Sequence, residues 1–291
     1  AKVRAENDLH HAADAAVIAA LTPRMLQRIT AYHQAIETGQ VRQGVDYGTG
    51  EVTELVRGRK FTFPPPWEGF RAELLARLSE AGINGVWLQG LLRDLAPGGG
   101  AFPEFGADHE KRLANLRELV QRAKTFGIGI YLYINEPRAM PTSFFKGHPD
   151  MAGVQEGDLT ALCTSQPAIR TWMSEALAYV FREVPELAGV YAITASENLT
   201  NCASHGAWTS CERCKTRSDG DILAEVVSVI EEGVHRGNPN AAVLISDWGW
   251  RGHGDAPDII ARLPKSVYLM SVSEWHLPIE RGGIKSTVGE Y

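Results

Sequence analysis

The sequence predicts an α/β fold: a TIM-type (β/α)8 barrel, incomplete at its C-terminal end. Three observations carry this. From about residue 68 onward, an amphipathic helix, a Gly or Pro turn and a short apolar run recur five times. The apolar runs are continuous rather than alternating, as in a parallel sheet covered on both faces. Each run then ends in polar or charged residues. The chain has 291 residues, and a whole barrel needs roughly 250.

Residues 7–38 read as helical, with Ala12, Ala16, Ile18, Leu21, Leu26, Ile29 and Ile36 as the apolar positions. Residues 39–60 are polar and contain glycine. RKFTF at 59–63 is a candidate strand, the first in order, and Pro64-Pro65-Pro66 then breaks the chain. A helical segment and linker over 1–58 and a barrel domain over 59–291 are therefore expected. In the first full unit, Phe70, Leu74, Leu75 and Leu78 recur at helical spacing, and Val86, Trp87 and Leu88 form the strand. The second pairs KRLANLRELVQRAKTFG with IGIYLYINEP. The third opens at Pro167, tolerated at a helix start, and closes on VYAITASEN. GDILAEVVSVIEEGVHRGNPN with AAVLISDWGW is the fourth, and APDIIARLPK with SVYLMSVSEW the fifth. Two loops are long, 93–109 with Gly98-Gly99-Gly100, and 199–219; such loops usually carry function or disorder. Only 16 residues follow Trp275. Two further units need about 25–30 residues each, so the last strands are expected to be missing, unbuilt or supplied otherwise.

Composition narrows the function classes. The sequence has 29 Lys+Arg and 35 Asp+Glu, a formal charge of −6, with 44% hydrophobic and 22% charged residues. That is ordinary for a globular protein. The acidic balance argues against a general nucleic-acid binder, which needs a basic face. No apolar run approaches the ~20 residues that span a bilayer. The first residues, AKVRAENDLHHAADAAV, carry neither an initiating Met nor a signal-peptide pattern, so a processed or trimmed N-terminus is expected.

The strand ends hold the candidate chemistry: Gln89, Asn135-Glu136, Ser196-Glu197-Asn198, Asp247 and Ser273-Glu274. In α/β folds the C-terminal strand ends form the functional face. Buried charges are costly unless paired, so carboxylates at successive strand ends read as a shared cleft. Glu197 is the first candidate: a partly desolvated carboxylic acid at a strand end can donate a proton to a leaving oxygen. Asn198 is placed to bond a substrate hydroxyl or that carboxyl group. A structural carboxylate, satisfied by backbone amides or an Arg, is the alternative. Glu136 is next. Arg138 either pairs with it to shape the loop or grips a substrate carboxylate bidentately. Asp247 and Glu274 end the fourth and fifth strands, followed by Trp248 and Trp250, and by Trp275 and His276. Indole rings beside carboxylates suit a sugar site, although a Trp near a strand end is also common core material. Gln89, Asn135 and His205 complete the expected substrate contacts.

Cys202, Cys211 and Cys214 lie within NCASHGAWTSCERC, where Cys211-Glu-Arg-Cys214 is a C-x2-C knuckle. With Cys163 as fourth ligand, or His205 in its place, they suit a tetrahedral structural Zn2+ site with no open position. A disulfide or free thiols are the alternatives. Such a site would staple the loop that begins at Glu197. A thiolate metal site also favours a cytoplasmic location over an oxidising one. The phosphate-loop, nucleophile-elbow, zincin and dinucleotide motifs are absent, and no organic cofactor is expected.

AGINGVWLQG, FGIGIYLYINEPRAMP and the run from CTSQPAIRTWM to ELAGVYAITASEN resemble three consecutive barrel segments of exo-glycosidases. The nearest patterns are the catalytic barrels of α-glucuronidases and family 20-type β-hexosaminidases, and the resemblance covers about residues 70–200. The Cys-rich loop is similar to the zinc knuckle of some family 42-type β-galactosidases. The resemblance implies Glu197 as general acid. Family 20 enzymes carry an Asp just before that Glu, where this chain has Ser196. The chain thus reads as a divergent bacterial relative.

The resulting expectation is an exo-acting glycoside hydrolase with Glu197 as acid and Asp247, Glu274 or Glu136 as base or nucleophile. Its partner is an oligosaccharide or glycoside, with no nucleic acid and no membrane; homo-oligomerisation is left open. A non-catalytic carbohydrate-binding protein on a degenerate barrel is the alternative. A lyase or isomerase would want a Lys, a His or a catalytic metal at the strand ends.

Overall fold

The computed structural model describes residues 70–195, 198–250, 253, 256–271 and 278–287, and the backbone of four two-residue strands between 45 and 60. The expected helix over 7–38 lies outside the described residues. The chain divides into two compact units, residues 78–271 and residues 1–77 with 272–291.

The larger unit is built on five parallel strands. These are β1 (Gly85–Gln89), β2 (Gly129–Ile134), β6 (Gly189–Ile193), β7 (Ala242–Ser246) and β8 (Val267–Met270). Their order in the sheet is β8-β7-β6-β2-β1, so each lies beside its predecessor in the chain. This sequential parallel order is that of a barrel segment. The helices are α1 (Phe70–Glu80), α2 (Leu92–Leu95), α3 (His109–Lys124), α4 (Pro167–Glu183), α5 (Asp219–Gly237) and α6 (Ala256–Ala261). None of the described helices is long and apolar enough to cross a membrane.

Local chemistry explains the two longest helices. Pro167 starts α4, and Ile169, Trp172, Met173, Ala176, Leu177, Val180 and Phe181 make its buried stripe at helical spacing. Ser218 caps α5 by accepting the Asp221 N–H at 3.0 Å; Asp219 and Asp221 sit in the first turn, His235 and Arg236 in the last. The two helices cross closely. A Cβ on Gly237 would stand 2.6 Å from the Ala178 carbonyl, so only glycine permits this approach.

Two expectations change. Arg59–Lys60 pairs antiparallel with Leu55–Val56 and does not join the parallel sheet. Two adjacent cations do not suit a strand buried on both faces. Nor are the five strands covered on both faces. Ile130, Leu132, Ile134, Val190, Ala192, Val243 and Ile245 are buried. On the other face Tyr131, Tyr133, Tyr191 and Leu244 are half-buried, while Trp87 is 58% and Tyr268 66% exposed. Among the described residues the parallel sheet has five strands, fewer than the eight of a closed barrel.

The segment after β2 holds an unforeseen insert. It contains β3 (Met140–Pro141), β4 (Ala152–Glu156) and β5 (Leu159–Leu162), antiparallel in the order β3-β5-β4. Two 3-10 turns, Thr142–Lys146 and Pro149–Met151, precede β4. Aromatic rings pin the insert and the loop after β1 against α4: Phe102 lies 4.7 Å from Phe105 and 5.1 Å from Trp172, and Phe144 lies 5.7 Å from Phe105. In the smaller unit, Val45–Asp46 pairs with Glu51–Val52, and Pro278–Arg281 with Ile284–Thr287.

Candidate functional site

The C-terminal ends of β2, β6 and β7 converge as polar residues. Asn135, buried after β2, donates from Nδ2 to the Ile193 carbonyl at 3.1 Å and accepts from Asn198 Nδ2 at 3.3 Å. This ties the ends of neighbouring strands together. Glu197, Ser196, Glu274, Trp275 and His276 lie outside the described residues.

Glu136 is buried, and both its oxygens are engaged: Oε1 accepts the Leu92 N–H at 2.8 Å and Oε2 the Arg138 N–H at 3.0 Å. Desolvation raises its pKa above the ordinary carboxylate value, against the pull of those two N–H groups and of Arg93 and Arg138. The carboxyl thus brackets the start of α2 and the turn through the cis Glu136–Pro137 bond. It is the Arg138 backbone, not its guanidinium, that meets Glu136; Arg138 Nη1 is buried with no hydrogen-bond partner among the described residues.

Asp247, half-buried after β7, accepts a hydrogen bond from Ser271 beyond β8. On the inner face, the Tyr191 hydroxyl bonds to Ser246 and lies near Asp247 and Tyr133. Burial raises its pKa first; the two neighbouring acids add to this and the Ser246 bond opposes it. The Trp87, Tyr133 and Tyr191 rings form a continuous patch, with centroids 4.9 Å apart for Trp87–Tyr133 and 5.5 Å for Tyr133–Tyr191. Gln89 is exposed at the end of β1. Trp248 is half-buried, whereas Trp250 is 1% exposed and donates its indole N–H to Thr194 Oγ1 at 3.1 Å. The Trp250 ring is therefore core, with no face free for a sugar.

The four cysteines meet. Cys163 follows β5; Cys202, Cys211 and Cys214 come from the loop after β6. All are buried free thiols, and their Sγ atoms lie within 4.8 Å of one another. Cys163 Sγ stands 3.7 Å from that of Cys211 and 3.6 Å from that of Cys214. A disulfide needs about 2.05 Å. Metal–sulfur bonds of about 2.3 Å in a tetrahedron give edges of about 3.8 Å. The spacing therefore fits one tetrahedral ion, and the cluster can hold a metal. Hydrogen bonds from Cys202 and Cys214, with Arg213 adding to them, lower the Cys163 pKa and favour its thiolate. In the same cluster Cys214 is pushed up to about 12, first by its hydrogen bond with Cys163, and Cys202 is raised too. His205 is not needed as a ligand: its Nδ1 meets Glu156 Oε2 of β4 at 2.7 Å.

Several neighbours of this centre escaped sequence reasoning. Gly153 packs on it so tightly that a Cβ would stand 2.5 Å from Cys202 Sγ. Ser165 Oγ lies 3.3 Å from Cys214 Sγ and accepts from Arg217, which pairs with Glu225 of α5 at 2.8 Å. Arg213 Nε donates to Cys163 Sγ at 3.4 Å. The insert, the loop after β6 and α5 thus share one fastening. In the sequence the four cysteines marked the centre, and nothing marked these supporting neighbours.

No protein-family model matches the chain. Among solved structures it is similar to a GH138 enzyme targeting pectin rhamnogalacturonan II, at 13% identity and a TM-score of 0.45, over 70% of this chain and 22% of that one. It is similar to the GH20 exo-β-N-acetylglucosaminidase of Vibrio harveyi at 13% identity and a TM-score of 0.45, over 70% of this chain and 36% of that one. The cold-adapted β-galactosidase of Rahnella sp. R3 matches at 13% identity and a TM-score of 0.42, over 72% of this chain and 38% of that one. The chain thus spans well under half the length of these three. These neighbours are glycoside hydrolases of several families, each matched at a TM-score below 0.5.

Proposed function

We propose that this chain forms much of the catalytic barrel of an exo-acting glycoside hydrolase, with Glu197 as general acid and Asp247 as base or nucleophile. The observation that carries this is the Asn135–Asn198 hydrogen bond at the ends of β2 and β6. Asn198 is the chain neighbour of Glu197, and Asp247 follows Ser246, which pairs in register with Ile193. Two carboxyl groups at neighbouring strand ends suit glycosidic cleavage. One protonates the leaving oxygen, and the other attacks the anomeric carbon or activates water, at separations of roughly 5–5.5 or 6.5–9.5 Å respectively. Asn135 and Asn198 would orient sugar hydroxyls or the Glu197 carboxyl. Glu136 serves this reading as a brace, because both its oxygens are already engaged. Glu274 remains the other candidate for the second carboxylate, with Trp248, Gln89, His205 and Arg138 as candidate substrate contacts.

The cysteine centre, in this reading, holds a structural Zn2+. Four thiolates leave the ion no open position, so it contributes rigidity rather than Lewis acidity. It keeps the loop that follows β6, and with it the acid, in place. The test is a panel of aryl glycosides with Glu197→Gln and Asp247→Asn. Loss of an acid or base should lower kcat about 10²–10⁴-fold; full activity of Glu197→Gln on every cleaved glycoside sinks the assignment. The open ring patch of Trp87, Tyr133 and Tyr191 supports a second reading, carbohydrate binding without turnover. Saturable sugar binding with no hydrolysis of any panel member would favour it.

A further inference from the structure

A tetrathiolate centre with one divalent ion carries two surplus negative charges, and here all four sulfurs are buried. Buried charge of this kind calls for a paired cation. Two guanidinium groups stand near. Arg217 reaches Cys214 only through Ser165, and its charge is already met by Glu225. Arg213 is placed differently. Its Nε bonds directly to Cys163 Sγ, its Nη2 donates to the Ala152 carbonyl, and no carboxylate pairs with it among the described residues.

That geometry joins the two halves of the centre. Arg213 lies inside the C-x2-C knuckle, between Cys211 and Cys214. Cys163 is the one cysteine from outside this loop. Ala152 opens β4, next to Gly153, which packs on Cys202. One planar fork therefore fixes the incoming ligand and the strand edge that covers the cluster. A lysine has a single point of charge and cannot make both bonds in this orientation.

We propose that Arg213 is the outer-sphere cation of the cysteine centre: it positions Cys163, offsets the charge of the tetrathiolate, and so sets the affinity for a thiophilic divalent ion. The proposal rests on the metal reading given above. Outer-sphere partners of metal ligands typically govern affinity about 10–100-fold.

The test is Co2+ titration of the reduced full chain in competition with a chelator, followed by displacement with Zn2+. Cobalt reports both affinity and ligand set, through its d–d and thiolate charge-transfer absorption. Arg213→Gln should bind about 10–100-fold more weakly with the tetrathiolate spectrum retained. Arg213→Lys should bind less weakly than Arg213→Gln but still more than twofold more weakly than the parent, and Arg262→Gln, far along the chain on an exposed ion pair, should match the parent. Circular dichroism of the metal-saturated proteins checks folding; if Arg213→Gln does not fold, Arg213→Lys carries the comparison. Either Arg213 variant binding within twofold of the parent overturns the proposal. A parent that gives no tetrathiolate spectrum overturns the metal reading itself, which is a different result.

Discussion

Adding one methyl group at Gly153 should weaken metal binding far more than it disturbs the rest of the fold. A Cβ there would stand 2.5 Å from Cys202 Sγ, 3.0 Å from the Ala161 carbonyl and 3.4 Å from the Cys163 Cα. Two of these three atoms belong to backbone and cannot swing aside. The third is a sulfur that can rotate away only while it is free of metal. Overpacking of this kind costs about 1–3 kcal/mol. If the pinned sulfur carries most of that cost, Gly153→Ala loses roughly 5- to 150-fold in metal affinity, at about 1.4 kcal/mol per tenfold. The assay is Zn2+ affinity by chelator competition, paired with thermal unfolding with and without chelator. Gly147→Ala is the control, since its Cβ would meet only the Phe144 carbonyl at an ordinary 3.8 Å. The reasoning fails if Gly153→Ala binds Zn2+ like the parent, or if it destabilises the chelated protein as much as the loaded one.

Two further outcomes follow from the same geometry. Glu136 has a folded pKa above its ordinary value of 4.5, so between the two the folded state binds the extra proton and stability falls as pH rises. Urea midpoints of the parent should decline with pH across that window; Glu136→Gln should lack this component, and equal slopes would refute the desolvated carboxyl. Chelation under reducing conditions should open the loop over 199–219 to trypsin at Arg213, Lys215 or Arg217, with Zn2+ restoring resistance; cleavage at equal rates in both conditions would deny the centre its fastening role.

The parallel sheet was legible because its signal is local. IYLYI, VYAI and AVLI are apolar runs bounded by turns, and the helices between them keep their stripes. The strand-end residues were legible for a similar reason: Asn135 and Asp247 stop apolar runs, and polar groups gather where strands end. The insert over β3–β5 was not, since AGVQE and LTAL are short, mixed in polarity and paired only within the insert. Trp248 and Trp250 are two positions apart with opposite fates, decided by Thr194, a partner 56 positions away. Arg213 sits in plain view beside Cys214, but its sulfur partner is Cys163, 50 positions upstream. Gly153 carries no signal of its own, because what demands a glycine there is a thiol from another loop.

The open inner face gives the protein a built-in optical reporter. Trp87 is 58% exposed and stands among tyrosines, whereas Trp172 and Trp250 are buried. Iodide in solution will therefore quench the Trp87 emission selectively over that of the two buried rings. Whatever covers that face, whether a sugar or additional polypeptide, will shield the ring and raise the unquenched fraction. The difference in quenching between the parent and Trp87→Phe isolates this ring from the other six tryptophans, so occupancy of the face can be followed by fluorescence before the identity of the occupant is known.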